Sequence, residues 1–345
     1  MSSIRVGIIG AGGIVESRHL PGLSKISGVE VVAVCNRSRE SGERVAARWG
    51  IPEVMDDWRA LAHRADLDAV FIGTWPYTHA EMSIECLDAG RHVFCQARMA
   101  RTFDEARLMQ AAARRHPELV AMLCPPPNGL LGDRFVRRLL TEGALGELRE
   151  VFATGRFDSN ADPNAPLHWR QDFELQGYNT LCLGMWIEVV HRWVGLHASL
   201  SAVVKTHTPI RRRAGSGEEV RVVVGESVSI GAELRSGAVA TYLFSGVARF
   251  APHNVIELYG TDGTLRYDMD TDEVLLGRAG DPAAVPTEIP EELRRPWQVE
   301  ADFISAIRDG AVVEPSFSEG LAYMEFTEAV YRSAAAGARV ELFGG

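Results

Sequence analysis

No apolar run in this chain approaches the roughly 18 residues needed to cross a bilayer, and no two cysteines stand at C-x-x-C spacing. The first absence excludes a membrane-spanning helix. The second leaves five scattered cysteines (Cys35, Cys86, Cys95, Cys124, Cys182) that read as reduced core residues, not as disulfides or metal ligands. Basic charge is scarce as well: 36 Lys and Arg against 46 Asp and Glu give a formal net charge of −10. Nucleic acid and anionic membranes both require a basic face, so neither is expected as a partner. The one basic cluster, Arg211-Arg212-Arg213, stands beside Ala-Gly-Ser-Gly and reads as an exposed hairpin tip. His, Cys, Asp and Glu never cluster at ligand spacing, so no metal site is predicted. The start, MSSIRVGIIG, lacks the pattern of an export signal, which predicts a cytoplasmic protein.

What is present is the composition of a folded protein, 46% apolar without low-complexity tracts, and a length of 345 residues that predicts two domains. Residues 1–125 alternate short apolar runs (5–9, 29–35, 69–72, 92–95, 119–123) with stretches of three- and four-residue apolar spacing (38–49, 77–89, 103–115). This is βαβ grammar. It predicts an α/β domain, a doubly wound parallel sheet whose ligands gather at the carboxyl ends of the strands. After Pro125-Pro126-Pro127 the pattern changes to helices near 131–142 and 178–194 and alternating strands at 147–155, 220–234 and 238–244. Arg235-Ser236-Gly237 and the glycine turn within 257–265 are hairpin signals, and two helices, 297–308 and 318–336, close the chain. Residues 126–345 thus form an α+β domain with an open, mostly antiparallel sheet. Alternation of Val228, Ile230, Ala232 and Leu234 leaves an apolar face for a second subunit or for a helix of the same domain to cover.

Gly7-Ile8-Ile9-Gly10-Ala11-Gly12-Gly13-Ile14-Val15 follows the first strand and opens the first helix. Gly10 can make the tight turn, and Gly12 lets the backbone approach a pyrophosphate. The amides from Gly13 and Ile14 onward, at the helix mouth, would stabilise its charge. The third fingerprint position holds Val15, not Gly or Ala. The second strand ends in Asn36-Arg37-Ser38, without the carboxylate that usually takes the ribose 2′-hydroxyl of NAD. Arg37 and Ser38 suit a 2′-phosphate, so NADP is the expected cofactor; a solvated Arg37 above adenine would leave NAD possible.

With these stretches, TWPYTH (Thr74 to His79), Ala89-Gly90-Arg91-His92-Val93, Gly143 to Glu147, Tyr259 to Leu265 and SEGLAYMEFTEAVYRSA, the chain resembles the Gfo/Idh/MocA family of NAD(P)-dependent oxidoreductases along its whole length. The resemblance implies a Rossmann domain, hydride transfer at a carbinol carbon of sugars and related polyols, and a dimer or tetramer packed through the open sheet. It also implies that Thr74, Trp75, His79, Gln96 and Ala97 border the cofactor. Departures stand out. Where the family usually has Glu-Lys-Pro, this chain has Gln96, Ala97 and Arg98; Ala97 cannot carry a proton. Without the proline a cis peptide, costing about 3 kcal/mol, is not expected. Where the family's helix carries an Asp and, four residues on, a His, this chain has Cys182 and Trp186.

Reduction of a carbonyl needs a proton donor, which contributes about 10² to 10⁴ in rate. Candidates lie in LHWRQDFELQGYNTL. His168 has a suitable pKa; Tyr178 could donate beside a cation. Arg170, in a Trp169-Arg170 pair matching the family, and Asn179 would hold substrate hydroxyls, with Asp172 steadying Arg170. Arg98 could stabilise negative charge, and Trp186, with Cys182 on one helical stripe, offers a stacking face for a sugar. The plainer readings are a surface His168, a packing Tyr178, an N-capping Asn179 and a Trp186 packed on the sheet. Glu188 and Arg192, four apart, read as a surface ion pair. Three functions follow: an NAD(P)-dependent oxidoreductase of a sugar-like small molecule, a lyase or glycosidase that recycles bound NAD(P), and a catalytically inactive dinucleotide-binding protein.

Overall fold

The computed structural model describes residues 3–125 and 130–343; Pro126 and Pro127 of the expected boundary lie outside them. The chain divides into two compact units, Met1–Pro125 with Gln298–Leu321, and Pro126–Trp297 with Ala322–Gly345. Among the described residues, no helix is long and apolar enough to cross a membrane.

In the first unit six parallel strands, β1 (Ile4–Ile9), β2 (Val29–Cys35), β3 (Glu53–Met55), β4 (Ala69–Ile72), β5 (His92–Cys95) and β6 (Ala121–Leu123), lie in the order 3-2-1-4-5-6. The order reverses between β1 and β4, the switch point at which such sheets bind ligands. Val6, Ile8, Ala33, Val34, Val70 and Val93 are fully buried, because strands covered by helices on both faces have no polar side. The sequence reading passed over β3, whose three residues carry too short a pattern. Helices α1 (Leu20–Leu23), α2 (Arg39–Trp49), α3 (Trp58–Ala62), α4 (Pro76–Asp88) and α5 (Phe103–Arg115) alternate with the strands. Thr102 and Glu105 start α5 with a reciprocal capping box.

The second unit contains α6 (Asp133–Thr141), α7 (Phe173–Gln176), α8 (Leu183–Val194) and strands β7 (Leu148–Arg156), β8 (His197–Lys205), β9 (Ile210–Arg212), β10 (Glu219–Arg221), β11 (Ser227–Leu234), β12 (Val239–Ser245), β13 (Val255–Gly260), β14 (Gly263–Asp268), β15 (Val274–Arg278), β16 (Val285–Pro286) and β17 (Val340–Glu341). Nine of them form one sheet, ordered 16-15-14-13-7-12-11-8-17, parallel only between β7 and β12; β9 and β10 form a separate hairpin. The run 220–234, expected as one strand, is divided between β10 and β11. The chain turns inward there to bury Glu226, whose carboxylate accepts the His207 and Thr208 N–H groups.

Two helices close the chain. α9 (Val299–Asp309) returns to the first unit, where Glu300 bonds His19 at 2.5 Å and Phe303 packs edge-on against Phe71 and Phe94. A cut at 125/126 therefore leaves one helix of the first unit behind, because its apolar face has its match there. From Ala322 on, α10 (Phe317–Ala336) belongs to the second unit, with Phe326 against Tyr242 and His197 and the Tyr331 hydroxyl accepting from Gly225 N–H. Val228, Ile230, Ala232 and Leu234 are buried within this single chain. The helices of the same domain cover that face, not a second subunit.

Candidate active site

In the first unit the glycine turn is shaped by contacts that only glycine allows. Gly10 has φ +84°, and a Cβ there would stand 2.5 Å from Thr74 Cγ2. Its N–H donates to the Cys35 carbonyl, and Ala11 N–H donates to Asn36 Oδ1 at 2.7 Å. A Cβ at Gly12 or Gly13 would meet nothing within 4 Å, so the backbone is open exactly where a phosphate group would approach the helix mouth. Past Ile14 the helix opens as one π-helical turn, Val15–His19, before α1. Val15 is accommodated because Gly73 lacks a side chain: a Cβ on Gly73 would fall 2.3 Å from Val15 Cγ2. The room the third fingerprint glycine normally gives comes here from the end of β4.

The other predicted cofactor residues divide between surface and scaffold. Ser38 caps α2, its hydroxyl accepting from Ser41 N–H, and Asn36 braces the glycine turn. Arg37 is exposed, its guanidinium carbon 5.9 Å from the centre of the Trp75 ring. His79 is fully buried, one ring nitrogen 3.1 Å from the Thr74 carbonyl and the other 2.9 Å from that of Arg98. Burial holds its pKa below the ordinary histidine range, so the neutral ring donates its one N–H to a carbonyl on one side and packs against the turn on the other. Gln96 is buried with its Oε1 accepting from Ala97 N–H, and Arg98 is buried as well. The Ala97–Arg98 peptide is cis, where the lack of proline predicts trans. Nδ1 of His79 lies 2.9 Å from the carbonyl of Arg98 and 3.3 Å from that of Met99, and Met99 is buried against Gly320, so side chains pack this turn where the family usually has a proline ring.

In the second unit α8 starts at Leu183, not near Tyr178. Gly177 (φ 63°, ψ −142°) and Leu181 (φ +49°) interrupt any helix before it, which takes Tyr178 and Asn179 off its stripe. Tyr178 stacks on Tyr331 with ring centres 4.0 Å apart and meets Phe173 edge-on, so it is a packing aromatic. Asn179 is buried and donates to the Gln176 carbonyl at 2.6 Å; it caps no helix. Cys182 and Trp186 do share a face of α8, and both are buried. Cys182 Sγ fills the space over Gly155, and Trp186 stands edge-on to Phe244.

His168 lies exposed on the loop before α7. Its Nδ1 accepts from Arg170 N–H, while its backbone N–H donates to Gln171 Oε1. Partial burial, then the Arg170 charge, lowers its pKa. The Arg170 guanidinium lies on the Trp169 ring at 4.2 Å. Asp172 pairs not with Arg170 but with Arg213, at 2.9 Å, and caps α7. Arg211, expected at an exposed tip, is fully buried. It donates to the carbonyls of Asn160, Asp162 and Ala165 and pairs with Glu226 at 3.0 Å. One guanidinium thus fastens the loop bearing His168, Trp169 and Arg170 to the sheet. Sequence gave no sign of it, since nothing local marks an arginine whose partners come from a distant loop.

Residues 4–123 match the family described as an oxidoreductase family with an NAD-binding Rossmann fold, and residues 134–266 match the GFO/IDH/MocA C-terminal domain. The chain belongs to the Gfo/Idh/MocA family. Among its curated relatives, levoglucosan dehydrogenase of Pseudarthrobacter phenanthrenivorans is 26% identical over 97% of both chains. A 1,5-anhydro-D-fructose reductase of Ensifer adhaerens is 28% identical over 76% of this chain and 74% of its own. The solved complex of levoglucosan dehydrogenase with NADH and L-sorbose superposes with a TM-score of 0.88 at 25% identity, covering 99% of each chain.

Within this Gfo/Idh/MocA frame two further side-chain groups differ from their sequence reading. Glu188 is buried and the Arg192 side chain is largely covered, not a surface pair: Arg192 also pairs with Asp133 at 3.3 Å, and Trp193 Nε1 donates to the same carboxylate, because α6 packs on α8. The ligand atoms of His253, Asp268 and Asp270, the first on the far side of a strand pair from the other two, come within 4.8 Å of one another. Their carboxylates accept from the backbone N–H groups of Asn254, Asp270 and Thr271, so the trio closes the turn after β14.

Proposed function

We propose that this chain is an NAD(P)-dependent oxidoreductase passing hydride to or from a carbinol carbon of a sugar-like or polyol-like small molecule, with a proton carrier unlike that of its relatives. The observation that carries the reading is the cradle: Gly12 and Gly13 stand open at a helix mouth, beside a Gly10 that tolerates no Cβ. Sugar-acting relatives support the substrate class. Gly10, Gly12, Gly13 and Ile14 would hold the pyrophosphate through backbone amides. A nicotinamide ring supplies or accepts the hydride when bound. His168 is the favoured proton carrier, because it is an exposed imidazole beside Arg170, and imidazole is the side chain suited to general acid–base work near neutral pH. Arg170, spread on Trp169, holds a substrate hydroxyl. Arg37 gives the finer cofactor preference for a 2′-phosphate, Ser38 being engaged as a cap.

The test is spectrophotometric: purified protein with NAD or NADP and a panel of sugars and cyclitols, followed by reduced-nicotinamide absorbance. Turnover that falls at least 100-fold in His168→Ala, and for which Arg170→Ala raises KM, supports the reading. No absorbance change with any substrate rejects it.

A second reading, a dinucleotide-binding protein without catalysis, draws on one specific observation. Cys182 and Trp186 are packed into the core of their unit, so neither position offers a proton. Cofactor that raises Tm while every substrate stays unchanged would favour it. For either reading we propose a homo-oligomer joined through the outer sheet face, where Val203 (69%), Val239 (55%) and Leu243 (43%) are exposed.

A further inference from the structure

Asp268 is a carboxylate that the second unit buries without an arginine or lysine to answer its charge. It is only 6% exposed, and among the described residues neither it nor Asp270 forms an ion pair with Lys or Arg. A buried charge is stable when it is paired or when it coordinates a metal ion. Oδ1 of Asp268 is occupied by backbone, accepting the Asp270 and Thr271 N–H groups at 2.9 and 3.0 Å. Oδ2 faces His253 Nδ1 at 2.6 Å.

Asp270 brings a second carboxylate to the same place. It is exposed, yet Asn254 fixes it from both its backbone N–H and its side-chain amide, at 2.8 and 3.3 Å. Such outer hydrogen bonds orient a ligating carboxylate and leave it lone pairs for an ion. With His253, the three groups offer one nitrogen and two carboxylate oxygens within 4.8 Å of one another. The movable member is the imidazole, whose side chain is 61% exposed. A small rotation opens its 2.6 Å contact to the roughly 3 Å that two ligands on one cation need at bond lengths of about 2.1 Å. Asp272 continues the alternation of aspartates but points elsewhere, accepting from Leu131 N–H and the Tyr267 hydroxyl. Without it the turn falls short of the six to eight oxygens that calcium takes, and the imidazole favours a softer ion.

We propose that His253, Asp268 and Asp270 bind a divalent transition-metal ion such as zinc, through Nδ1 and one oxygen of each carboxylate, with water completing the coordination. The ion acts as a clip. It joins the residue before Asn254 and β13 to the turn that follows β14, at the end of the pair where Val255 lies opposite Asp268. Sequence spacing does not show it, because antiparallel pairing brings position 253 beside positions 268 and 270. All three residues lie in the second unit, so the site stands apart from the glycine turn and does not depend on the cofactor reading.

Calorimetric titration of the chelator-treated full-length protein with zinc, manganese and calcium chlorides, paired with thermal melts, tests this. Zinc should bind with one equivalent, at least roughly 10-fold more tightly than calcium, and raise Tm by at least about 2 °C. His253→Gln and Asp270→Asn alter exposed side chains, so each should melt near the parent without metal and yet lose zinc affinity by roughly 10-fold or more. His63→Gln, at an exposed histidine of the first unit, should bind zinc as the parent does. Absence of stoichiometric zinc binding by the parent overturns the site. Parent-like zinc affinity in both His253→Gln and Asp270→Asn overturns it as well, and calcium binding tighter than zinc overturns the class of ion.

Discussion

Single residues here are decided by what surrounds them. Gly10 and Gly12 are two residues apart, yet their replacements should fail differently. Gly10→Ala would set a Cβ 2.5 Å from Thr74 at φ +84°, so it should lower Tm and abolish dinucleotide binding together. Gly12→Ala meets nothing within 4 Å, so it should leave Tm unchanged and weaken binding about tenfold, by placing a methyl where the pyrophosphate approaches. Thermal melts paired with calorimetry separate the two. Acid should act through a buried chain in the second unit, where His191 Nε2 lies 2.9 Å from His197 Nδ1 and His197 Nε2 lies 2.7 Å from the Tyr242 hydroxyl. Burial pushes His191 down to about 3 and His197 well below its ordinary value. Both stay neutral in the fold while the unfolded chain takes up protons below about 6.5. Their contribution is therefore complete above pH 6.5 and shrinks as pH falls from there toward 3, by roughly 2 kcal/mol at pH 5 for one such histidine. Tm measured from pH 8 to 4 should be flat to about 6.5 and then decline, less steeply in His191→Gln.

At the scale of elements, legibility followed periodicity. β2, β4, β5 and α5 were readable to the residue, since strands buried on both faces are apolar throughout and a helix with a capping box announces its start. The start of α8 was misread because apolar residues kept three- and four-residue spacing through a loop. Spacing is blind to the positive φ of Gly177 and Leu181. The β9–β10 hairpin shows the opposite case, an element whose purpose lies in a contact far along the chain. Replacing Arg211 by Met would leave the Glu226 carboxylate buried without its partner, a loss of about 3–5 kcal/mol. We expect a lower Tm and, in Arg211→Lys, a milder loss with KM raised more than kcat is lowered, since the strapped loop carries Trp169 and Arg170. Equal loss of both constants in the lysine variant would speak against the strap as a holder of that loop.

For the whole molecule, burial decided which apolar surface stays inside. Val228, Ile230, Ala232 and Leu234 are covered by the chain's own helices, while Val203, Val239 and Leu243 remain on the outer face. If that face joins subunits, Leu243→Glu with Val203→Lys should give a smaller sedimenting species at an unchanged circular dichroism spectrum. An assembly unaffected by both charges would place the contact elsewhere. The order of the residues settled the βαβ series, the glycine turn at its first strand and the family to which the chain belongs, because propensity, periodicity and turn chemistry act over a few neighbouring residues. The tertiary structure settled what no neighbour records. It made Arg211 and Glu188 interior charges, Arg192 a covered one, Tyr178 a stacked ring, His79 a buried neutral ring and α9 part of the first unit. Burial and pairing depend on residues that are distant in sequence and become neighbours only once the chain is packed.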